Sequence, residues 1–399
     1  MPMGSVHNYK EPSAMHKKLL SIMLSAVCVL VVPVTGAAND PMGDLRQAVR
    51  TPTIEVGDND DIGLWARFHF ALHTGQFDVV KEFYNRLGFT HSIGGFPLSN
   101  THAVARALGM FDQCQYLLSK GEVLLFPNAI NTTGIDLLQF EVPYNPEPPY
   151  AALNHLGMAY STLLTTDLIA DYEYLLSSGV DFVSEPFGAA GNRFVFMRDP
   201  EGVFIKLEEQ SLPLKSDTSA SAESVGTHIV GMPYIGINVS NLEKSIEFYR
   251  LFGYSSIRPI NEQQLSLEES RAWGFDRPVR YVGADISIAR GDQHRLRLLQ
   301  WLEPFDAQRA YAPPINHKGM NRLALTVPDV ERAVDILSAQ GVEFLSEIAP
   351  CCSGTAADET GIVHAIDPDG VFLELVGKIQ PRPLAPQPDH CPPLTIKTR

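Results

Sequence analysis

The stretch GIVHAIDPDGVFLELVG, residues 361–377, decides the fold. It reads as a strand from Ile362 to Ile366, a tight turn on Asp367-Pro368-Asp369-Gly370, and a second strand from Val371 to Val376. Proline pre-sets φ for such a turn, and glycine takes the positive φ that closes it. Along the second strand side chains alternate, so Phe372, Glu374 and Val376 share one face and Val371, Leu373 and Leu375 the other. A carboxylate with apolar neighbours on both faces is costly to bury unless something pairs with it. Glu374 therefore needs a partner. The stretch NRFVFMRDPEGVFIKLE, 192–208, is an earlier copy of the hairpin built on Asp199-Pro200-Glu201-Gly202, with Lys206 standing where Glu374 stands.

Working outward, the order strand, helix, three strands recurs four times. The first unit has a strand over 65–73, a helix carrying Phe77, Val80, Phe83, Tyr84 and Leu87 at helical spacing, and strands over 116–118, 122–126 and 135–140. In the second unit a strand over 155–160 and a helix over 167–178 lead into the 192–208 hairpin. The third runs through a strand at 234–239, a helix at 242–252 and strands near 280–282, 285–289 and 295–301. A strand at 322–327 and a helix at 330–340 lead back to the opening hairpin. The second pair of units repeats the first. KEFYNRLGF (81–89) recurs as IEFYRLFGY (246–254), Arg106-Ala107-Leu108-Gly109 as Arg271-Ala272-Trp273-Gly274, and LLQF (137–140) as LLQW (298–301). One such unit cannot close a core alone. The expected domains are 64–210 and 230–378, joined by a Ser-rich linker at 211–229. A polar connector at 39–63 precedes them, and a Pro-rich tail at 379–399 lies loosely on the surface.

The 399 residues are 45% hydrophobic and 19% charged, as in soluble globular proteins. A formal charge of −15 and a pI near 5.2 argue against nucleic-acid or anionic-membrane binding. The first 38 residues read as a secretory signal: basic His16-Lys17-Lys18, an apolar run over 19–34, and small residues at Ala37 and Ala38 for cleavage. An uncleaved anchor is the alternative. The expectation is export, periplasmic or secreted, with no stable membrane insertion after cleavage. Export permits disulfides, yet the cysteines show no framework spacing. Cys114 reads as a small buried hydrophobe, and a bridge from Cys351 or Cys352 to Cys391 is the pairing considered.

Taken together, the four units resemble the vicinal oxygen chelate superfamily, the glyoxalase, bleomycin-resistance and extradiol-dioxygenase group. The resemblance implies an α+β fold of four βαβββ units forming two paired, cup-shaped glyoxalase-like domains, with a metal or ligand inside a cup. It also implies ligands on the first strand of each unit, usually His or Gln, and on the last, usually Glu. Carried onto this chain, those positions give His69 and Asp136 in the first unit, His155 and Lys206 in the second, Tyr234 and Arg297 in the third, and Arg322 and Glu374 in the fourth. The candidate metal ligands are His69, Asp136, His155 and Glu374, for Fe(II), Mn(II), Zn(II) or Ni(II). His73, on the same strand face as His69, and Lys206 are the candidate catalytic groups.

The pairing of units stays open at this level. Pairing within each half leaves the active cup mainly to the first half, which holds both imidazoles and Asp136; this is the expected arrangement. First-with-fourth pairing would instead gather His69, Asp136, Glu374 and Arg322, with an Arg322–Glu374 ion pair as the alternative to metal ligation. A bound dication would polarise two vicinal substrate oxygens, which serves isomerases, lyases and ring-cleaving dioxygenases alike. The partner is a small molecule. Binding or sequestering without chemistry, as in bleomycin-resistance proteins, is the other function class.

Overall fold

The computed structural model describes residues 61–94, 97–126, 133–210, 226–288, 294–305, 314–351, 359–382 and 386–394. The signal segment, most of the connector, most of the linker and Cys352 lie outside them. Unit one comprises β1 (Ala66–His73), α1 (Phe77–Arg86), β2 (His91–Gly94), α2 (His102–Ala107), β3 (Leu117–Leu125) and β4 (Gly134–Val142). Unit two has β5 (Gly157–Thr165), α3 (Leu168–Ser177), β6 (Asp181–Phe182), β7 (Phe194–Arg198) and β8 (Phe204–Glu209). Unit three has β9 (Ile229–Asn238), α4 (Leu242–Leu251), β10 (Ser256–Gln264), α5 (Leu267–Ala272), β11 (Arg280–Ser287) and β12 (Arg295–Glu303). Unit four closes with β13 (Gly319–Asp329), α6 (Val330–Ala339), β14 (Ala349–Pro350), β15 (Thr360–Ile366) and β16 (Phe372–Lys378).

The strands form two eight-stranded sheets, ordered β14-β15-β16-β13-β1-β4-β3-β2 and β10-β11-β12-β9-β5-β8-β7-β6. Unit one therefore shares a sheet with unit four, and unit two with unit three. The seams are antiparallel: β1 runs against β13, with Ala71 opposite Arg322, and β5 against β9, with Ser161 opposite Ile235. The expectation that the first half mainly builds the active cup is thereby corrected. Strand β1 hydrogen-bonds to β13 rather than to β5, so each cup takes one unit from each half.

Local chemistry accounts for the elements. Helix α1 buries Phe77, Val80, Phe83 and Tyr84, a three-and-four spacing that lays one stripe on the sheet. Helices α3, α4 and α6 start at Asp167, Asn241 and Asp329, whose side chains accept from Ala170, Lys244 and Arg332 N–H. The Arg-Ala-Leu-Gly and Arg-Ala-Trp-Gly repeats end the short helices α2 and α5, which the strand-and-helix reading of the sequence passes over. In both hairpins the fourth turn residue has positive φ, 98° at Gly202 and 97° at Gly370, which explains glycine there. The turn aspartates bolt the halves internally. Asp367 accepts from Asp369 and Val371 N–H at 2.9 and 2.8 Å and from the Tyr249 hydroxyl at 2.9 Å. Asp199 does the same towards Glu201 and Val203 N–H, and Tyr84 reaches it at 3.3 Å. These tyrosines come from the repeated FY pairs of α1 and α4, so the repeat survives as a helix-to-hairpin tie although the sheets pair across it.

Two corrections concern the cysteines and the tail. Cys114 lies ahead of β3 and is disulfide-bonded to Cys391, 277 residues away. Gln387 accepts from His102 N–H at 3.1 Å and donates to the Cys114 carbonyl at 3.3 Å, so the tail is pinned rather than loose. Cys351 is buried. No helix among the described residues is long and apolar enough to cross a membrane.

Candidate functional site

The ladder register fixes the four ring positions of each cup. Two residues beyond His69, Ala71 lies beside Asp136; two beyond Arg322, Ala324 lies beside Glu374. Two residues beyond Tyr160, Thr162 lies beside Lys206, and two beyond Tyr234, Gly236 lies beside Arg297. The cup of units one and four thus carries His69, Asp136, Arg322 and Glu374. Its counterpart carries Tyr160, Lys206, Tyr234 and Arg297. His155 is not a ring residue. Strand β5 starts two residues after it, and the ring position falls five residues later, at Tyr160. His155 instead stacks on Tyr150 at 4.0 Å, with Nδ1 2.8 Å from the Leu156 carbonyl. Counting eight residues back from each helix start, as in His69 to Phe77, finds Tyr160.

In the first cup the four ring groups meet. Arg322 donates to Asp136 Oδ2, and its Nε lies 3.5 Å from Glu374 Oε2. His69 Nε2 is 3.7 Å from Asp136 Oδ2 and 3.5 Å from Glu374 Oε2. All four side chains are buried. Burial alone would raise Glu374, but Arg322, a hydrogen bond from His69 and His364 outweigh it and bring the carboxyl down to about 2. Asp136 is pushed up by burial, against the pull of Arg322 and His69. Burial also works against the Arg322 charge, and the two carboxylates more than offset it.

His364, which the sequence reading missed, belongs to this cluster. It faces Glu374 across the β15–β16 ladder, with Nε2 3.8 Å from Oε1, and burial pushes it down to about 4. Counting outwards from the 367–370 turn pairs the two residues, so the signal was present. His73 lies nearby, edge-on to Phe140 at 4.9 Å, and accepts at Nδ1 from Asn321 at 3.2 Å. Burial first, then Arg322 and His317, hold it well below the ordinary histidine range.

Arg322 and Glu374 line a small cavity of about 20 Å³, room for about one water, whose other walls are Asn100, Val104, Leu108, Tyr116, Leu118, Leu138, Phe140, Cys351 and Ile362. Arg322 Nε, Glu374 Oε2 and Asp136 Oδ1 are buried without a hydrogen-bond partner. Native proteins rarely leave such atoms unmatched. Arg322 Nε and Glu374 Oε2 face each other at 3.5 Å, matched in charge but without a close hydrogen bond.

The residues do not fit a resident dication. Donors held about 2.0–2.1 Å from one ion stand roughly 3–3.5 Å apart. Among the described residues, the only His, Cys, Asp or Glu group of three with ligand atoms mutually within 4.8 Å is His102, His390 and Cys391, away from the ring. The Arg322 guanidinium lies against both ring carboxylates, occupying a ligand position with a fixed positive charge. A cation beside a cation is repelled strongly at low dielectric. Of the expected set His69, Asp136, His155 and Glu374, the structure brings His69, Asp136 and Glu374 together around Arg322 and places His155 outside the ring.

The second cup is filled. Lys206 donates to Glu208 at 2.5 Å, and its Nζ lies 4.6 and 5.5 Å from the Phe194 and Trp273 rings. Arg297 holds Asp285 with two hydrogen bonds, 2.7 and 3.0 Å, and donates to the Tyr234 hydroxyl at 2.9 Å. Burial depresses Lys206, countered by Glu208. Lys206, expected as catalytic, is therefore paired and roofed by aromatic rings in the other cup.

Comparison with known proteins bears on the family and the fold. Residues 66–207 and 231–375 match the profile of the Glyoxalase/Bleomycin resistance protein/Dioxygenase superfamily. Crystal structures of two point mutants of glyoxalase I from Zea mays are similar in fold, each with a TM-score of 0.50 and 16% identity. They cover 78% of this chain and 92% and 93% of their own. A putative dioxygenase from Bacillus subtilis is also similar, with a TM-score of 0.47 and 10% identity, covering 79% of this chain and 86% of that one. A search of curated proteins returned no match. With the family profile spanning both halves and the two curled sheets built from four units, the chain belongs to the Glyoxalase/Bleomycin resistance protein/Dioxygenase superfamily.

Proposed function

We propose that the chain is an exported enzyme that moves a proton next to a carbonyl in a small substrate with vicinal oxygens, using the cup of units one and four. The observation that carries this reading is Arg322, a buried cation set between two carboxylates in a ring position and lining the cavity. A fixed guanidinium can stabilise an enolate oxygen as a Lewis acid would, and being preorganised it costs no reorganisation. In this scheme a carbonyl oxygen accepts from Arg322 Nε, and a neighbouring hydroxyl donates to Glu374 Oε2. Sharing the Arg322 charge with the substrate oxygen weakens the interaction that most lowers Glu374, so Glu374 becomes a better base on binding. His69, 3.5 Å away, is placed to exchange the proton onward. Isomerase and lyase chemistry suit this ring. Ring cleavage with dioxygen needs a redox metal, for which the donor set is poor. The basic segment and apolar run at the N-terminus support export, as does the Cys114–Cys391 disulfide, a bond that persists in oxidising compartments.

The second reading is capture without turnover. It is favoured by the resting Glu374, which at about 2 is an anchor more than a base. Solvent-deuterium exchange distinguishes the two. Small α-hydroxycarbonyl compounds are incubated with the protein in D₂O and followed by NMR, with binding read by thermal shift. Exchange that falls at least a hundredfold in Glu374→Gln and in Arg322→Lys supports the enzyme. Binding without exchange supports capture, and neither binding nor exchange across the panel overturns both.

A further inference from the structure

We propose that the tail clasp, in its dithiol form, is a Cys₂His₂ site for a zinc-type ion. Its members are His102, at the first turn of α2, His390 and Cys391 in the tail, and Cys114. The ligand atoms of His102, His390 and Cys391 already lie within 4.8 Å of one another, and the two imidazole rings stand edge to face at 6.2 Å. Cys114 is bonded to Cys391, with their Cα atoms 5.5 Å apart. No carboxylate belongs to the group, so it is a nitrogen and sulfur set of the kind that selects Zn²⁺ over hard cations.

While the disulfide holds, the thiolates are unavailable. A dithiol reductant changes that: it gives two electrons and two protons to the Cys114–Cys391 bond and leaves as its own disulfide. The two thiols then bind one Zn²⁺ and release two protons. The covalent cross-link is exchanged for a coordinate one between the same elements, and the tail stays pinned in both states. Only the reduced, metal-free protein lets it go. Helix α2 also presents Val104 to the cavity, with Leu108 directly after it, so the clasp anchors one wall of the first cup.

Co²⁺ makes the site visible, because thiolate ligands give it a charge-transfer absorption. The full chain carrying Ser at Cys28, Cys351 and Cys352 leaves only the clasp cysteines as sulfur donors. The reduced protein should take up one equivalent of Co²⁺ with a thiolate band, and Zn²⁺ should displace it. The oxidised protein should show no such band. His102→Ala and His390→Ala should each weaken binding tenfold or more. Zn²⁺ should raise the melting temperature of the reduced protein but not of the double histidine variant, which separates a site in the fold from scavenging by unfolded thiols. No thiolate band at one equivalent, or a band and melting shift indifferent to both histidines, overturns the proposal.

Discussion

The two cups are built from the same four ring positions and end in opposite states. One holds His69, Asp136, Arg322 and Glu374 beside a small cavity; the other holds Tyr160, Lys206, Tyr234 and Arg297 under a roof of aromatic rings. Charge does not explain the difference, because both rings are ion-paired, with Arg322 buried and Arg297 partly buried. The roof does. Residue Leu108 follows α2, and Trp273 follows α5 at the same place in the repeat. The indole lies 5.0 Å from Phe196, 5.9 Å from Trp301 and 6.3 Å from Tyr160, whereas Leu108 lines the small cavity of the first cup. The repeated motif thus carries different side chains in the two cups.

The most disruptive test of that contrast removes the cation from the first cup. Replacing Arg322 by Met leaves Asp136 and Glu374 buried without a counter-charge, which should cost about 3–5 kcal/mol in denaturant unfolding. Arg322→Gln should be similarly weakened but partly rescued by Zn²⁺ or Mn²⁺, with the clasp kept oxidised. The natural protein's melting temperature should not respond to the same ions. A metal response equal in both would mean that Arg322 is not what keeps a dication out.

Next comes exchange of the roofs. Trp273→Leu should lose roughly 2–4 kcal/mol through the cavity it opens in the second cup. Leu108→Trp should instead abolish small-molecule binding in the first cup, at a cost of about 1–3 kcal/mol from overpacking. If Leu108→Trp leaves binding intact, the ligand does not enter through this cavity.

The smallest effect concerns the two hairpin bolts. Burial raises Asp199 to about 7 and Asp367 to about 6, against the backbone N–H groups that hold them. A carboxyl whose folded pKa exceeds its unfolded one, near 3.8, binds protons more tightly when folded. Each bolt should therefore lose stabilisation as pH rises from about 4 to its folded value. Stability measured from about pH 4 to 8 should decline less steeply in Asp199→Asn and Asp367→Asn. Glu374 has the opposite sign: its contribution is full above about 4.5 and is lost as pH falls towards about 2.

Much of this was legible in residues. The DPxG turns, the FY pairs and the helix stripes located four units, because turn chemistry and side-chain alternation act over a few neighbours. The Arg322–Glu374 pairing was legible too, as the alternative to a metal. His155 misled because a histidine close to a strand start is easily taken as part of the strand, and only the ladder shows that β5 begins at Gly157. The role given to Cys114 failed for a related reason. Nothing near it in sequence reports a partner 277 residues away.

The opening hairpin shows where the division falls. By itself the sequence determined its strands, its turn and the face shared by Phe372, Glu374 and Val376, since these follow from period-two alternation and the conformational limits of proline and glycine. Which strand lies alongside was decided only in three dimensions. Backbone N–H and C=O groups are the same on every strand, so the ladder carries no label for its neighbour, and burial of the whole sheet selects it. That choice set unit four against unit one, brought Asp136 and His69 to Arg322 and Glu374, and made the last hairpin half of the site.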